Sequence, residues 1–286
     1  MANLKEIRNR ISSVSSTMQI TSAMKMVSAA KLKKAQDAIT AMRPYSDKLT
    51  ELLQSLSASL DADSGSRYAD NREVKKVLVV AITSNRGLAG AFNSNILKQT
   101  TALSNETYAG KQVDFVAIGK KANDFLTKKN AVIANHSPVF DDLTFDNVAE
   151  IAESLMELFV SGKYDRIELV YNKFKNAATQ LVMTEQFLPI VPAEGGEVIS
   201  TDYKFEPSKA EIVEQLIPKS LKTQLYKAIR DSFASEHGAR MTAMHKATDN
   251  AKELRDQLKL TYNKARQAAI TNEILEIVGG AEALNN

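Results

Sequence analysis

The stretch from Gly238 to Ala283 constrains this chain more than any other. It contains no Pro, and no Gly lies between Gly238 and Gly279. Ala, Leu, Lys, Arg, Gln and Glu dominate it, the residues that lose least on entering a helix. Its less polar positions run Ala239, Ala243, Ala247, Ala251, Leu254, Leu258, Tyr262, Ala265 and Ala269. Steps of four, with an occasional three, set them on one slowly drifting stripe of a helix. At 1.5 Å per residue such a helix is roughly 65 Å long, too long to be enclosed by one globular core. Its stripe therefore needs a partner, and the alanines let that partner's backbone come close. The shape implied is a shaft rather than a pocket.

The other end of the chain has the same character. Asn3 and Glu6 form a capping-box-like helix start. Leu4, Ile7, Ile11, Val14 and Met18 follow a three-four stripe. The stripe loses its apolar character at Thr21, Lys25 and Ser28, where Ile20, Met24 and Val27 carry a neighbouring one, and it resumes at Leu32, Ala35, Ile39 and Met42. A strict heptad keeps one seam. The migrating stripe instead predicts a long helix whose partner changes along its length. Pro44 predicts a position within or just after a break, with helical pattern continuing through Leu49, Leu52, Leu53, Leu56 and Leu60. Asp61 to Asn71 is polar, contains Gly65 and reads as a linker.

Between the two ends the period changes. Val77 to Ile82 is a continuous apolar run of the kind found in a buried parallel strand. Thr83 to Gly90 reads as a turn, Ala91 to Leu103 as a helix, Val113 to Ile118 as a second strand and Lys120 to Lys128 as a helix. Ala131 to Ala134 reads as a short third strand. Phe145 to Phe159 reads as a helix with Val148, Ile151, Ala152, Leu155, Leu158 and Phe159 on its apolar face. Arg166 to Tyr171 and Thr179 to Leu188 read as strands, and Pro189 to Pro207 as a loop or edge hairpin. Strand and helix in alternation predict a mostly parallel, Rossmann-like α/β domain. Ser208-x-x-Glu211 is a capping box that opens a further helix. Pro218 either kinks this helix or begins the long final one. The domain plan is an N-terminal helix over 1–60, an α/β domain over 72–207 and a C-terminal helix over 208–286. The simplest cover for two long striped helices is each other, packed as an antiparallel coiled coil.

The chemistry tested on this plan is sparse. The chain has no Cys, so it offers neither a disulfide nor a thiolate metal site. Ser84 to Gly90 follows a strand and precedes a helix, where phosphate loops occur. It lacks the Gly-Lys-Ser/Thr triplet that reaches phosphate and Mg²⁺, and the chain shows no G-x-G-x-x-G with a later acid. This predicts a structural or protein-contacting turn with Arg86 at its tip. His136, His237 and His245 show no ligand spacing. Asp141 and Asp142 read as a solvated turn rather than a catalytic pair. Met18, Met24, Met26 and Met42 read mainly as packing, with Met24 a candidate interface residue. No catalytic residue, cofactor site or metal site is nominated.

Two further observations concern partners. Residues 1–50 carry nine Lys or Arg against the three acids Glu6, Asp37 and Asp47, a balance that suits an acidic protein surface, nucleic acid or an anionic membrane. The longest apolar run, Val77 to Ile82, is too short to span a bilayer, and the N-terminus goes straight into helical sequence. Both predict a protein that is cytosolic or peripheral to a membrane and does not insert in it.

The two ends resemble the gamma subunit of F-type ATP synthase. The resemblance is carried by Ile7-Arg8-Asn9-Arg10-Ile11-Ser12-Ser13-Val14 with Gln19 to Val27, and by Ala239-Arg240-Met241-Thr242-Ala243-Met244, Ala247 to Asn250 and Tyr262 to Gln267. Ile270-Thr271-x-Glu273-x-x-Glu276 with Gly280-Ala281-x-Ala283 is similar to that family's terminal signature. Asn85-Arg86-Gly87-Leu88-Ala89-Gly90 resembles its loop after the first strand, with Asn85 and Ala89 where Asp and Cys are frequent.

The resemblance implies a central rotor shaft without catalytic residues. It implies a coiled coil inside a ring of three alpha and three beta subunits, and an α/β domain touching epsilon and the membrane c-ring. It implies rotation driven by protons and coupled to ATP synthesis or hydrolysis at beta, in a complex on the cytoplasmic face of a bacterial membrane. Met24, Lys25, Arg240, Gln267 and Thr271 are the implied contacts with the alpha/beta ring, and Arg86 is an implied neighbour of beta. Alanines near the C-terminal tip, Ala265 and Ala269, are expected to act as a low-friction bearing. The alternative drawn from charge alone is a basic coiled-coil nucleic-acid-binding or scaffold protein. A small-molecule enzyme using the 84–90 turn is a third reading.

Overall fold

A computed structural model describes residues 4–57, 67–70, 72–128, 131–190 and 209–285. The Asn3 cap, the Ser208 start of the last capping box and most of the 61–71 and 189–207 segments lie outside the described residues. The elements are α1 (Leu4–Ser57), β1 (Lys76–Ile82), α2 (Phe92–Ala102), β2 (Gln112–Ile118), α3 (Lys120–Leu126), β3 (Val132–Asn135), α4 (Phe145–Val160), β4 (Arg166–Phe174), β5 (Gln180–Leu188) and α5 (Lys209–Asn285). A π-helical turn, Leu103–Thr107, follows α2, and a 3-10 turn, Ser137–Phe140, precedes α4. The chain divides into two compact units, Met1–Ser28 with Met241–Asn286, and Ala29–Arg240.

In the 29–240 unit the sheet order is β3-β2-β1-β4-β5. β1 pairs in parallel with β2 and β4, β2 pairs in parallel with β3, and only β5 runs antiparallel, against β4. Period-two alternation divides the apolar side chains between two faces. Leu78, Val80 and Ile82 join Val148, Ile151, Leu155 and Phe159 of α4 and Leu221, Leu225 and Ile229 of α5. Val77, Val79 and Ala81 join Ile96 of α2 and Leu126 of α3 on the other. Helix on both faces is why β1 needs no polar position after Lys76, and each such side chain contributes ~1.5–3 kcal/mol when fully buried. Gly119 stands where a Cβ would lie 2.2 Å from the Thr83 carbonyl oxygen, so only glycine joins β2 to α3 this closely.

In the other unit α1 and α5 run antiparallel. Arg8 donates to the Tyr262 hydroxyl at 2.8 Å, Arg255 lies 3.6 Å from the Met18 sulfur, and the Thr21 and Thr248 hydroxyls are 2.8 Å apart. As the number rises along α1 it falls along α5.

Burial along α1 follows an unbroken stripe where apolarity did not. Positions 4, 7, 11, 14, 18, 21, 25, 28, 32, 35, 39, 42, 46 and 49 are all buried or half-buried, alternating steps of three and four. On α5 the same alternation runs 244, 248, 251, 255, 258, 262, 265, 269. Both are heptad seams. Apolarity failed to reveal them because polar side chains occupy some seam positions. Thr21 and Ser28 return their hydroxyls to the Met18 and Met24 carbonyls of their own helix, at 3.1 and 2.7 Å, and so need no partner. Lys25 is half-buried, with its stem in the seam. On α5, Leu254 turns outward and Arg255 takes the place assigned to it.

Neither internal Pro ends a helix. α1 continues through Pro44, where Thr40, whose carbonyl loses its donor, is exposed. α5 continues through Pro218, held on either side by buried Ile217 and Leu221. Pro218 is therefore not the first residue of the final helix.

Candidate functional site: a helix tip and an anchored loop

The α5 seam stops at Ala269, and α1 has no described residue before Leu4 left to pair with the remainder. From Ile270 to Ala281 every residue is exposed, including Ile270, Ile274, Leu275, Ile277 and Val278. These large apolar side chains lie at helical spacing with nothing covering them among the described residues. A concentration of exposed apolar surface marks an interaction site more reliably than a scattered residue does. On the same unit Ile20, Met26 and Val27 of α1 also face outward.

The nominated residues fall into this frame as follows. Lys25 is half-buried at a seam position with half-buried Met24 next to it, and Gln267 and Thr271 are exposed near the tip. Thr271 donates to the Gln267 carbonyl at 3.0 Å, one turn back. About twenty residues of antiparallel register separate Met24 from Gln267, roughly 30 Å along the pair. The structure therefore does not gather these residues into one site. Ala265 and Ala269 sit on the seam, half-buried, instead of on an outer bearing surface.

In the 29–240 unit the structure does bring two nominated residues together. Arg240 of α5 donates to the Gly87 carbonyl, lies 3.4 Å from the Arg86 carbonyl, and contacts Glu236 Oε1 at 2.5 Å. The Arg240 and Glu236 side chains are only 8% and 11% exposed. Burial pushes the Glu236 carboxyl up, and the Arg240 guanidinium pulls it back only in part. The loop so held is otherwise self-sufficient. The Ser84 N–H donates to Asn93 Oδ1, the Ser84 hydroxyl accepts from Asn93 Nδ2, and that hydroxyl lies within donating distance of Asn93 Oδ1 and of the Arg86 carbonyl at 2.7 Å. Asn85 donates to the Ser137 carbonyl and accepts from the Lys120 N–H. Leu88 adopts φ 64° and projects 67% exposed, beside exposed Arg86. A bulky residue in the left-handed region is costly and is kept only where its surroundings over-determine it. Glu236 and Leu88 were missed in sequence. The i, i+4 spacing of Glu236 and Arg240 was the available signal for the first, and a backbone angle gives none for the second.

Three other features bear on chemistry. A groove of ≈ 310 Å³ at the carboxyl ends of β1 to β3 is lined by Asn85, Lys120, Asn123, Asn135, Ser137 and Asp141. Asn85 and Asn135 already spend their oxygens on Lys120 N–H and Ser137. Inside the sheet unit, Tyr164 donates to Asp114 at 2.9 Å and Tyr108 donates to Glu168. Burial, then the carboxylate, raises both phenols, Tyr108 to about 12. Arg166 flanks the second pair, 3.5 Å from the Tyr108 hydroxyl and 3.9 Å from Glu168, and Gln112 donates to Asp114 of the first at 3.1 Å. Among the described residues no three His, Asp or Glu are grouped to hold a metal, and no helix is long and apolar enough to cross a membrane.

Coiled-coil stalk, parallel α/β sheet and outward apolar surface define a shaft-type interaction protein rather than one built around a cavity. Comparison with known proteins carries this further. The sequence model of the ATP synthase family matches residues 3–284, and the chain belongs to that family. The ATP synthase gamma chain of Flavobacterium psychrophilum is 76% identical over 285 residues, covering 99% of each chain. That of Flavobacterium johnsoniae is 75% identical over 288 residues, covering 100% of each. The fold is similar to a chain in the rotor of the Euglena gracilis mitochondrial ATP synthase (TM-score 0.66, 23% identity, 93% of this chain and 98% of that one). It is similar also to one in the OSCP/F1/c-ring assembly of the same enzyme (TM-score 0.68, 22% identity, 98% and 94%).

Proposed function

We propose that this chain is the central rotor shaft of an F-type ATP synthase. It couples proton-driven rotation of a membrane c-ring to ATP synthesis, or hydrolysis, at beta subunits, and is itself non-catalytic. The observation that carries the reading, in a chain of this family, is the α5 tip: a single helix of exposed apolar residues continuing beyond the end of its seam. Its partners are three alpha and three beta subunits, epsilon and the c-ring. It lies peripherally at the cytoplasmic face of a bacterial membrane. The parts divide as coiled-coil helix 1–60, α/β domain 72–207 and coiled-coil helix 208–286. Met24, Lys25, Gln267 and Thr271 meet the alpha/beta ring, and Arg86 meets beta; Arg240, nominated with them, is buried and serves the ring through the loop it holds. The nucleic-acid alternative is not favoured.

The mechanism follows from linkage. A shaft without a ligand switches catalytic sites only if it binds their open and closed states differently. It must therefore present unlike faces around its axis. The heptad seam occupies one side of each helix, which leaves the outward residues free to differ: Ile20, Met26 and Val27 apolar, Lys33 and Lys34 cationic. Apolar contacts supply affinity, while exposed cations give weaker, salt-screened attraction to acidic loops.

Reconstitution tests this. Mixed with matching alpha and beta subunits, the chain is expected to assemble at one copy per three of each, with cooperative ATP hydrolysis. A chain that stays apart and leaves hydrolysis unchanged removes the rotor reading.

A further inference from the structure

α5 carries a run of buried polar side chains within the 29–240 unit: Asp231, Ser232, Ser235, Glu236, His237 and Arg240. Three are answered. Ser235 donates to the Asn172 carbonyl at 3.0 Å, and Glu236 pairs with Arg240. His237 differs. Its ring is 5% exposed, and neither ring nitrogen has a hydrogen-bond partner among the described residues. It meets Phe233 edge-on at 4.5 Å, and Phe233 stacks on Phe140 of the 3-10 turn at 6.2 Å.

The charges facing His237 are Lys31 from α1 and Arg240 from its own helix, both positive. Glu236, the nearest acid in sequence, is engaged by Arg240 and also feels Lys31 and Arg86. Asp231, the other buried carboxylate of this run, acts on Tyr171. A neutral imidazole fits such a place as an aromatic disc. An imidazolium there would hold two unanswered N–H donors and a charge beside two cations.

We propose that His237 is an acid-sensitive latch: taking up a proton loosens α5 from its seat in the sheet unit, and with it the Arg240 anchor of the 84–90 loop one turn away. Burial, then Lys31, then Arg240 hold the ring's pKa down to about 4. An opened ring takes a proton near its ordinary 6.5, a seated ring only near 4. The seat is therefore fully stable above about pH 6.5 and weakens as pH falls through that window, by up to about tenfold in the opening equilibrium per pH unit. The consequence for coupling, a loop released from its anchor in acid, rests on the rotor reading; the latch itself does not.

The test uses the full-length chain alone. Histidine is labelled at ring C2 and titrated by NMR, the His237 resonance being the one lost in H237Q. Hydrogen exchange of the 228–240 segment is followed from pH 7 to 5, corrected for intrinsic exchange. Expected are a ring that stays neutral to below pH 5, and an opening constant that rises about tenfold or more in the natural chain while staying flat in H237Q. A ring titrating near 6.5 in the folded chain overturns the latch, as do parallel exchange profiles. If H237Q does not fold, H237F supplies the assignment and the flat reference, and the titration of the natural chain decides alone. Failure here leaves the ATPase reconstitution untouched, and failed reconstitution leaves the latch standing.

Discussion

The sheet unit and the helix pair bury their residues for different reasons. In the sheet unit every residue from Val77 to Ile82 is fully buried, covered on both faces by helices of the same chain. In the helix pair the seam is mostly half-buried, and two of its best-buried positions are the hydroxyl residues Thr21 and Ser28. Large apolar residues such as Ile20, Met26, Leu260 and Ile277 lie outside the seam. The first unit closes its core with its own atoms. The second keeps a modest seam inside and much of its apolar surface outward. A shaft needs this division, because the surface that transmits force cannot be the surface that holds the shaft together.

The comparison breaks most sharply under truncation of one apolar residue in each place. Leu78→Ala in the sheet is expected to cost ~2–5 kcal/mol, through lost burial and a cavity that packed helices cannot close. Ile274→Ala at the tip is expected to change the chain's own stability by less than ~0.5 kcal/mol. Urea unfolding of the isolated chain measures both. In the reconstituted complex the order should reverse for function, with Ile274→Ala lowering ATP hydrolysis by a chain that folds normally. An Ile274→Ala chain that unfolds as readily as Leu78→Ala would show that the tip packs within the chain.

Next in size is the buried ion pair. Arg240→Ala leaves Glu236 in a desolvated site and two acceptors, the Glu236 carboxylate and the Gly87 carbonyl, without this donor, while the Arg86 carbonyl keeps the Ser84 hydroxyl. Breaking such a pair from one side costs ~3–5 kcal/mol, whereas replacing both partners by apolar residues of like volume is often nearly neutral. The double change Glu236→Leu with Arg240→Met should therefore recover much of the midpoint lost by Arg240→Ala in urea. The 84–90 loop should still exchange faster than in the natural chain, since the Gly87 carbonyl stays without the Arg240 donor. A double variant no more stable than the single one would mean that the loop anchor, rather than the buried charge, dominates.

How much of this was legible in the sequence differs between the two units in the same way. Val77 to Ile82, Val113 to Ile118 and the α4 face from Val148 to Phe159 announced themselves because burial on a sheet demands apolar residues at a fixed period. The existence and antiparallel pairing of the long helices were also legible, from length and stripe. The seam was not. A sheet core rejects polar groups, but a two-helix seam open to solvent along its flanks accepts Thr21, Lys25, Thr248 and Arg255. The eye that follows apolar residues slides off it at those positions. Pro44 and Pro218 left continuity of the helices open in a related way, since the cost of one missing N–H is local while the burial that holds the helix is distributed. Of the candidate site, Arg86 and Arg240 were nominated separately. Their meeting needed three-dimensional contact over more than 150 residues of chain, and no local pattern encodes that.

The smallest expected effect tests the seam itself. Thr248 can donate to the Thr21 hydroxyl or to the Met244 carbonyl, each at 2.8 Å, and Thr21 can turn its own proton to the Met18 carbonyl. Thr248→Val removes one interhelical hydrogen bond and leaves Thr21 still satisfied by its own helix, so the loss should be ~1 kcal/mol or less. Thr21→Val together with Thr248→Val puts apolar branched residues at facing seam positions and leaves no hydroxyl without a partner. If the pair is a heptad coiled coil, the double variant should equal or exceed the natural chain in protection of residues 244–255 from hydrogen exchange. If the helices instead change partner at Thr21, as the apolar stripe alone suggests, the valines point nowhere useful and the double variant loses protection additively. The two outcomes differ in sign, so even this small energy decides whether the polar stretch of α1 is a gap in the seam or part of it.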